Sequence, residues 1–261
     1  MTQGIEVRHD GAVMAAAFNR PEKKNAITSA MYETLIEVFD KAGRDPDVGA
    51  LVISGKGGVF TAGNDIGDFL AAATGAAGPR GIRDAPAWRF ISRLADFEKP
   101  LIAAVQGLAV GVGATLCFHC DLVYASPDAR FHMPFVNLGL VPEAGASLLA
   151  PLRFGRARAS EFLLLAEPFD AETARELGLV NALQPEATLL AHAMSKAAAL
   201  AAKPRSALLT TRRLLRGDPA PLKARMEEEI EAFAAALASG EARSAFMTFM
   251  SGARTEAASR R

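Results

Sequence analysis

Cysteine is scarce: the 261 residues hold two, Cys117 and Cys120, too few for a disulfide framework, and a reducing compartment fits. A dominant charge is missing too, because 29 Lys and Arg balance 29 Asp and Glu. No global field gathers nucleic acid or an anionic membrane, so neither is expected as a partner, and an anionic ligand must be held locally. No apolar run approaches the roughly 20 residues of a membrane span. The opening MTQGIEVRHD lacks a basic-then-apolar leader and the closing SRR is not an SKL-type peroxisomal address. The expectation is a cytoplasmic protein. P-loop, nucleophile-elbow and zinc signatures are absent from the sequence, and no metal site is expected.

Half of the residues are hydrophobic, enough for a full core. Strand-length apolar runs recur at Ala12 to Phe18, Ala50 to Ile53, Leu101 to Val105 and Leu122 to Ala125, each bounded by Gly, Pro, Asp or Asn. Between them, Thr28 to Gly43 places Met31, Leu35, Val38 and Phe39 on one helical face, and Trp88 to Phe97 does the same with Trp88, Ile91, Leu94 and Ala95. After residue 150 the strands are expected to stop. Helices are expected at Ala157 to Ala166, Ala171 to Leu177, Pro185 to Ala202, Pro204 to Leu215 and Pro219 to Ala238. The layout is α/β, with a core over 1–200 and a helical region over 201–261 in one structural unit. Ala71 to Pro86 is Gly-rich and aperiodic, which suggests a mobile surface loop. The cluster Phe246 to Met250 would pack on the chain's own core or on a sister subunit, or else wall a pocket.

Two glycine-containing turns each follow an apolar strand and lead toward a helix: Val59 to Ile66, with Ala62-Gly63-Asn64-Asp65, and Gly107 to Ala114, with Gly111-Val112-Gly113. Backbone N–H groups at such turns point outward together and can bind a phosphate or a developing oxyanion. A dinucleotide fingerprint is not met, because Leu116 stands where its last Gly belongs. Cys117-Phe118-His119-Cys120 has no second Cys pair and reads as buried structure, as does His132. Glu143 follows Pro142 in an otherwise uncharged stretch. It either complements a helix dipole at a helix start or, through apolar isolation that raises its pKa, serves as a base.

Together these residues resemble the crotonase superfamily, the enoyl-CoA hydratases and isomerases, over essentially the whole chain. Asn19-Arg20-Pro21-Glu22-Lys23-Lys24-Asn25-Ala26 looks like the family's first CoA-binding loop. Ala62 to Ile66 looks like its first oxyanion turn, and Lys99 to Gly107 leads into the second. The resemblance implies a ββα spiral core with a C-terminal helical region that builds a homotrimer or a dimer of trimers. It implies an acyl-CoA thioester substrate, with coenzyme A part of that substrate and no separate cofactor. The oxyanion hole would be the N–H groups of Asn64 and Val112. Adenine and phosphates would lie against Lys24, Ala26, Ala62, Asp65 and Ile66, with Gly63, Gly111 and Phe135 completing the substrate-contacting set.

Departures from the family pattern bear on the subclass. Thr115 and Phe135 stand where hydratases carry their two glutamates. Glu143 falls where the peroxisomal-type Δ3,Δ2-enoyl-CoA isomerases keep a single one. The resemblance therefore implies an isomerase moving a 3-enoyl double bond to C2 in fatty-acid or related acyl-CoA degradation. A hydratase or thioester hydrolase of the same superfamily, and a non-catalytic acyl-CoA-binding protein, are the alternatives.

Overall fold

The computed structural model describes residues 4–68 and 79–248. Its main sheet has six strands in the order β1-β2-β3-β4-β6-β9. These are β1 (Ile5–Asp10), β2 (Val13–Phe18), β3 (Ala50–Gly55), β4 (Leu101–Val105), β6 (Leu122–Ala125) and β9 (Ala182–Leu183). β1 and β2 are antiparallel, and every later pairing in this sheet is parallel. A second sheet joins β5 (Leu108–Val110), β7 (Arg130–His132) and β8 (Phe169–Asp170) in the order β5-β7-β8.

The inner strands are apolar without interruption because both faces are covered. Along β2, β3 and β4, Met14, Ala16, Phe18, Leu51, Ile53, Leu101, Ala103 and Val105 point into the main core. Their alternates Val13, Ala50, Val52, Ile102 and Ala104 form a second core with Leu189, Ala193 and Ala197 of α7 (Glu186–Ala201). β1, by contrast, is an edge strand whose second half, Arg8-His9-Asp10, is exposed.

Helices of the described residues include, in chain order, α1 (Ser29–Arg44), α2 (Pro79–Asp84), α3 (Pro86–Asp96), α4 (Val112–Thr115), α5 (Ala146–Ser160), α6 (Ala171–Glu176), α7, α8 (Arg205–Arg216) and α9 (Ala220–Leu237), and 240–248 are helical as well. Thr28 caps α1 by accepting from Met31 N at 3.3 Å, and Met31, Leu35, Val38 and Phe39 are buried as the periodicity requires. α9 buries Met226, Glu229, Ile230 and Phe233 against the main core, which also takes in Phe246.

Several expectations are corrected. Strands do not stop at residue 150, because β8 and β9 follow; with two residues each they carry no period and form only against β7 and β6. α5 joins two helical segments across a kink at Gly155; the second, continued by the π-helical turn Glu161–Leu165, matches the helix expected over Ala157 to Ala166, and the first, from Ala146, is additional. The first segment runs past Pro151, and Gly155, at φ 74° and ψ 159°, interrupts the helix. Within Ala71 to Pro86, residues 71–78 lie outside the described residues, whereas 79–84 form α2. Arg83 ties α2 to α9 through Glu227 at 2.6 Å and Glu231 at 3.1 Å, contacts a local reading cannot supply. Phe246 is buried and Met247 is 60% exposed, while residues 249 and 250 are outside the described part.

Candidate active site

The two glycine turns meet. Ile27 N–H donates to Gly63 O and Asp65 N–H donates to Ile27 O, so Asn64 forms a parallel bridge with Ile27 and its own N–H faces away from it. Thr61 bridges Ala109 in the same way. A Cβ on Gly63, at φ 85°, would sit 2.8 Å from Val110 O. The approach of the two turns therefore requires glycine there. Gly111, at φ 55°, caps α4, whose first residue is Val112, and the first N–H groups of a helix have no intrahelical acceptor. The Asn64 N–H is thus left out of the bridge to Ile27, and the buried Val112 N–H opens α4 with no intrahelical acceptor.

Asn25, fully buried at φ 55°, builds the loop that carries Lys24 and Ala26. Its Nδ2 donates to Lys56 O and Val59 O, and its Oδ1 accepts from Arg20 N. Ala62 N–H donates to Lys24 O at 2.9 Å, which joins this loop to the first turn. Arg20 Nη1 reaches Asp65 Oδ2 at 2.6 Å and Ala26 O at 3.2 Å. That guanidinium holds the Asp65 carboxyl below its ordinary range. Lys24 is exposed, and Ala26, Ala62, Asp65 and Ile66 are half-buried, so the expected nucleotide-contacting residues share one accessible rim.

Glu143 is 5% exposed. Thr115 Oγ1, at the end of α4, donates to Glu143 Oε1 at 2.5 Å, while Oε2 has no hydrogen-bond partner among the described residues. Burial pushes the Glu143 carboxyl up to about 8, against a lowering contribution from Thr115 and a further raising one from the Glu229 charge. The helix-dipole reading of Glu143 is corrected. α5 starts three residues later at Ala146, Gly145 is its cap, and the carboxylate at that helix end belongs to Glu229. Glu229 Oε2 accepts from Gly145 N at 2.6 Å, and Oε1 accepts from Ser147 N and Oγ.

His119 Nε2 lies 2.7 Å from Ala144 O, so that nitrogen carries the proton and the ring supports the residue after Glu143, at φ 58°. Burial pushes the His119 ring down to about 4 and keeps it neutral. His132 is likewise structural, with Nε2 2.8 Å from Ala166 O, and both cysteines are buried thiols. Tyr32 of α1 donates to Asn64 Oδ1 at 2.5 Å, and its phenol is raised by burial and by the Glu143 charge. Phe135 is buried and supplies only apolar surface.

Two residues are not apparent from the sequence pattern as site residues. Tyr32 looks like one more core position of α1. Glu229 sits in the acidic run Glu227-Glu228-Glu229, which resembles a solvated face. Its spacing with Met226, Ile230 and Phe233 nevertheless places it on the buried stripe, the one signal in the sequence that could find it.

The enoyl-CoA hydratase/isomerase family model matches residues 8–251. Enoyl-CoA delta isomerase 2 of Rattus norvegicus is 36% identical over 95% of this chain, which spans 64% of that protein's length. The 2,3-dehydroadipyl-CoA hydratase of Escherichia coli K12 is 32% identical, with 85% of each chain covered. The structure of Pseudomonas aeruginosa OdaA superposes with a TM-score of 0.87 at 42% identity, covering 95% of this chain and 99% of that one. The mixed α/β core with its C-terminal helices is the crotonase architecture, and the chain belongs to the enoyl-CoA hydratase/isomerase family. No helix among the described residues is long and apolar enough to cross a membrane, and no cluster of His, Cys, Asp or Glu among them is arranged to hold a metal ion.

Proposed function

We propose that the protein is a Δ3,Δ2-enoyl-CoA isomerase in which Glu143 is the only proton carrier. The observation that carries this reading is a buried carboxyl with one oxygen unpartnered among the described residues, held by Thr115 on the short helix that Val112 opens. In the reaction Glu143 takes a proton from C2 of a 3-enoyl-CoA. The electron pair delocalises onto the thioester oxygen, where Asn64 N–H and Val112 N–H stabilise it, and the same proton returns at C4, leaving the double bond at C2. Preorganised donors of this kind contribute about 3 kcal/mol each. A carboxyl lifted to about 8 is a stronger base toward a carbon acid than an ordinary one, and its ionised form is the one that takes the C2 proton.

Hydration requires a second carboxylate to handle water. Thr115 and Phe135 cannot ionise in that role, and both oxygens of Glu229 are engaged by Gly145 and Ser147. The rat relative's name carries the same activity and the Escherichia coli relative's carries the other, so an assay decides. Purified enzyme is given a 3-enoyl-CoA and crotonyl-CoA in parallel. Isomerisation exceeding hydration by at least about 10²-fold supports the reading, and comparable or dominant hydration sinks it. Tight acyl-CoA binding with neither reaction would instead favour a non-catalytic binder.

The coenzyme A moiety, on this reading, runs along the rim of Lys24, Ala26, Ala62, Asp65 and Ile66, with the thioester at Gly63 and Gly111 and the acyl chain against Phe135. The buried free thiols of Cys117 and Cys120 suit a reducing cytoplasm. The assembly we assign is a homotrimer or a dimer of trimers. It would cover Leu152, Leu164, Leu165, Leu214 and Leu215, each more than 60% exposed.

A further inference from the structure

Thr115 has no ionisable group, yet it is the one side chain that hydrogen-bonds Glu143 among the described residues. It is fully buried, and its donated proton goes to Oε1, leaving Oε2 without a partner. It also ends α4, the four-residue helix that Val112 begins. Three residues of helix advance about 4.5 Å and turn about 300°, so the Val112 N–H and the Thr115 hydroxyl emerge on neighbouring sides of one short rigid element. α4 therefore fixes the oxyanion donor and the holder of the base relative to each other.

We propose that Thr115 is a positioning residue that pins Glu143 Oε1, so that Oε2 alone removes the C2 proton and delivers it to C4. The inference deepens the isomerase reading and rests on it. In the first step the C2–H bond breaks, an Oε2–H bond forms, and the electron pair passes to the thioester enolate. In the second the Oε2–H bond breaks and the C3=C4 pair forms the C4–H bond, while the enolate C1=C2 pair becomes C2=C3 and the oxygen pair restores the thioester carbonyl. Because one oxygen in a fixed carboxyl plane serves both carbons, both transfers occur on one face of the acyl chain.

The other groups around Glu143 leave this task to Thr115. From α1, Tyr32 spends its proton on Asn64 Oδ1. From α9, Glu229 is occupied by the backbone of Gly145 and the backbone and hydroxyl of Ser147. His119 acts on Ala144 O, holding the backbone beside the base and not its carboxyl.

The test compares Thr115→Val, which keeps the shape and deletes the donor, with Thr115→Ser, which keeps the donor. For the Val variant, the isomerase kcat should fall at least about tenfold with KM little changed, the scale for a lost hydrogen bond to a charged group. The rise of kcat/KM with pH should also move to higher pH, because the bond that favours the carboxylate is gone. Ser should restore both. If Val fails to fold, Thr115→Ala is read by the same criteria. A donorless variant with wild-type kcat and an unshifted profile overturns the proposal. So does a loss that Ser does not rescue and that tracks only a lower thermal midpoint. An inactive Glu143→Gln beside a normal Thr115→Val removes the positioning role alone, whereas an active Glu143→Gln removes the isomerase reading itself.

Discussion

Glu143 is costly to ionise where it sits, and that cost has a measurable sign. Its folded pKa, about 8, lies above the ordinary 4.5, so between these values the native state holds a proton that the unfolded chain has lost. Wild-type stability contributed by this group is therefore complete below pH 4.5 and is lost as pH rises through 8. Glu143→Gln cannot titrate, and Glu229 and His119 are common to both proteins. The thermal midpoint of the Gln variant relative to wild type should rise between mildly acidic and mildly alkaline buffer, on either side of that window. A difference independent of pH would show that Glu143 ionises normally. At this scale Glu143 is conspicuous in sequence as an acid isolated in an apolar stretch, whereas its proposed role as the base rests on the family resemblance. Its environment is not legible there, since Thr115 is 28 residues away and Tyr32 lies on α1.

Among elements, the two turns depend on each other through Gly63. Gly63→Ala would place a Cβ 2.8 Å from Val110 O at a φ of 85°. The expected cost is about 1–3 kcal/mol of stability, with the isomerisation rate lowered more than acyl-CoA affinity, as the Asn64 and Val112 donors are pushed apart. Thermal unfolding and kinetics on one preparation check this, and an unchanged rate in a folded variant would separate the turns from the chemistry. Most of the long elements are readable in sequence, the exceptions being the edge strand β1, whose second half is polar, and the first segment of α5. β2, β3, β4, β6 and helices α1, α3, α6, α7, α8 and α9 all coincide closely with apolar runs or helical faces. Strands of two or three residues, β5, β7, β8 and β9, are not, because nothing local distinguishes them from loops. Likewise α2 depends on Arg83 reaching Glu227 and Glu231, which lie far along the chain on α9.

For the molecule as a whole, exposed leucines on α5, on the turn that follows it and at the end of α8 are the features a monomer explains least. Leu164 and Leu165 are 69% and 62% exposed, and Leu214 and Leu215 are 72% and 84% exposed. Light scattering at micromolar concentration should give a trimer or hexamer, and the pair Leu164→Glu with Leu165→Glu should shift it toward monomer. A wild-type monomer would contradict the assembly. In sequence these side chains are indistinguishable from core leucines, and only the folded chain shows them uncovered.

That Glu143 carries the proton is tested most directly by the turnover of Glu143→Gln, measured as isomerisation of a 3-enoyl-CoA together with acyl-CoA affinity on the same preparation. The Gln side chain keeps the shape of Glu143 and can still meet Thr115, but it cannot accept the C2 proton. Isomerisation should fall by at least about 10²-fold with acyl-CoA binding retained, because the nucleotide rim from Lys24 to Ile66 is untouched. A Gln variant that isomerises at near wild-type rate would place the base elsewhere and contradict the assignment of Glu143.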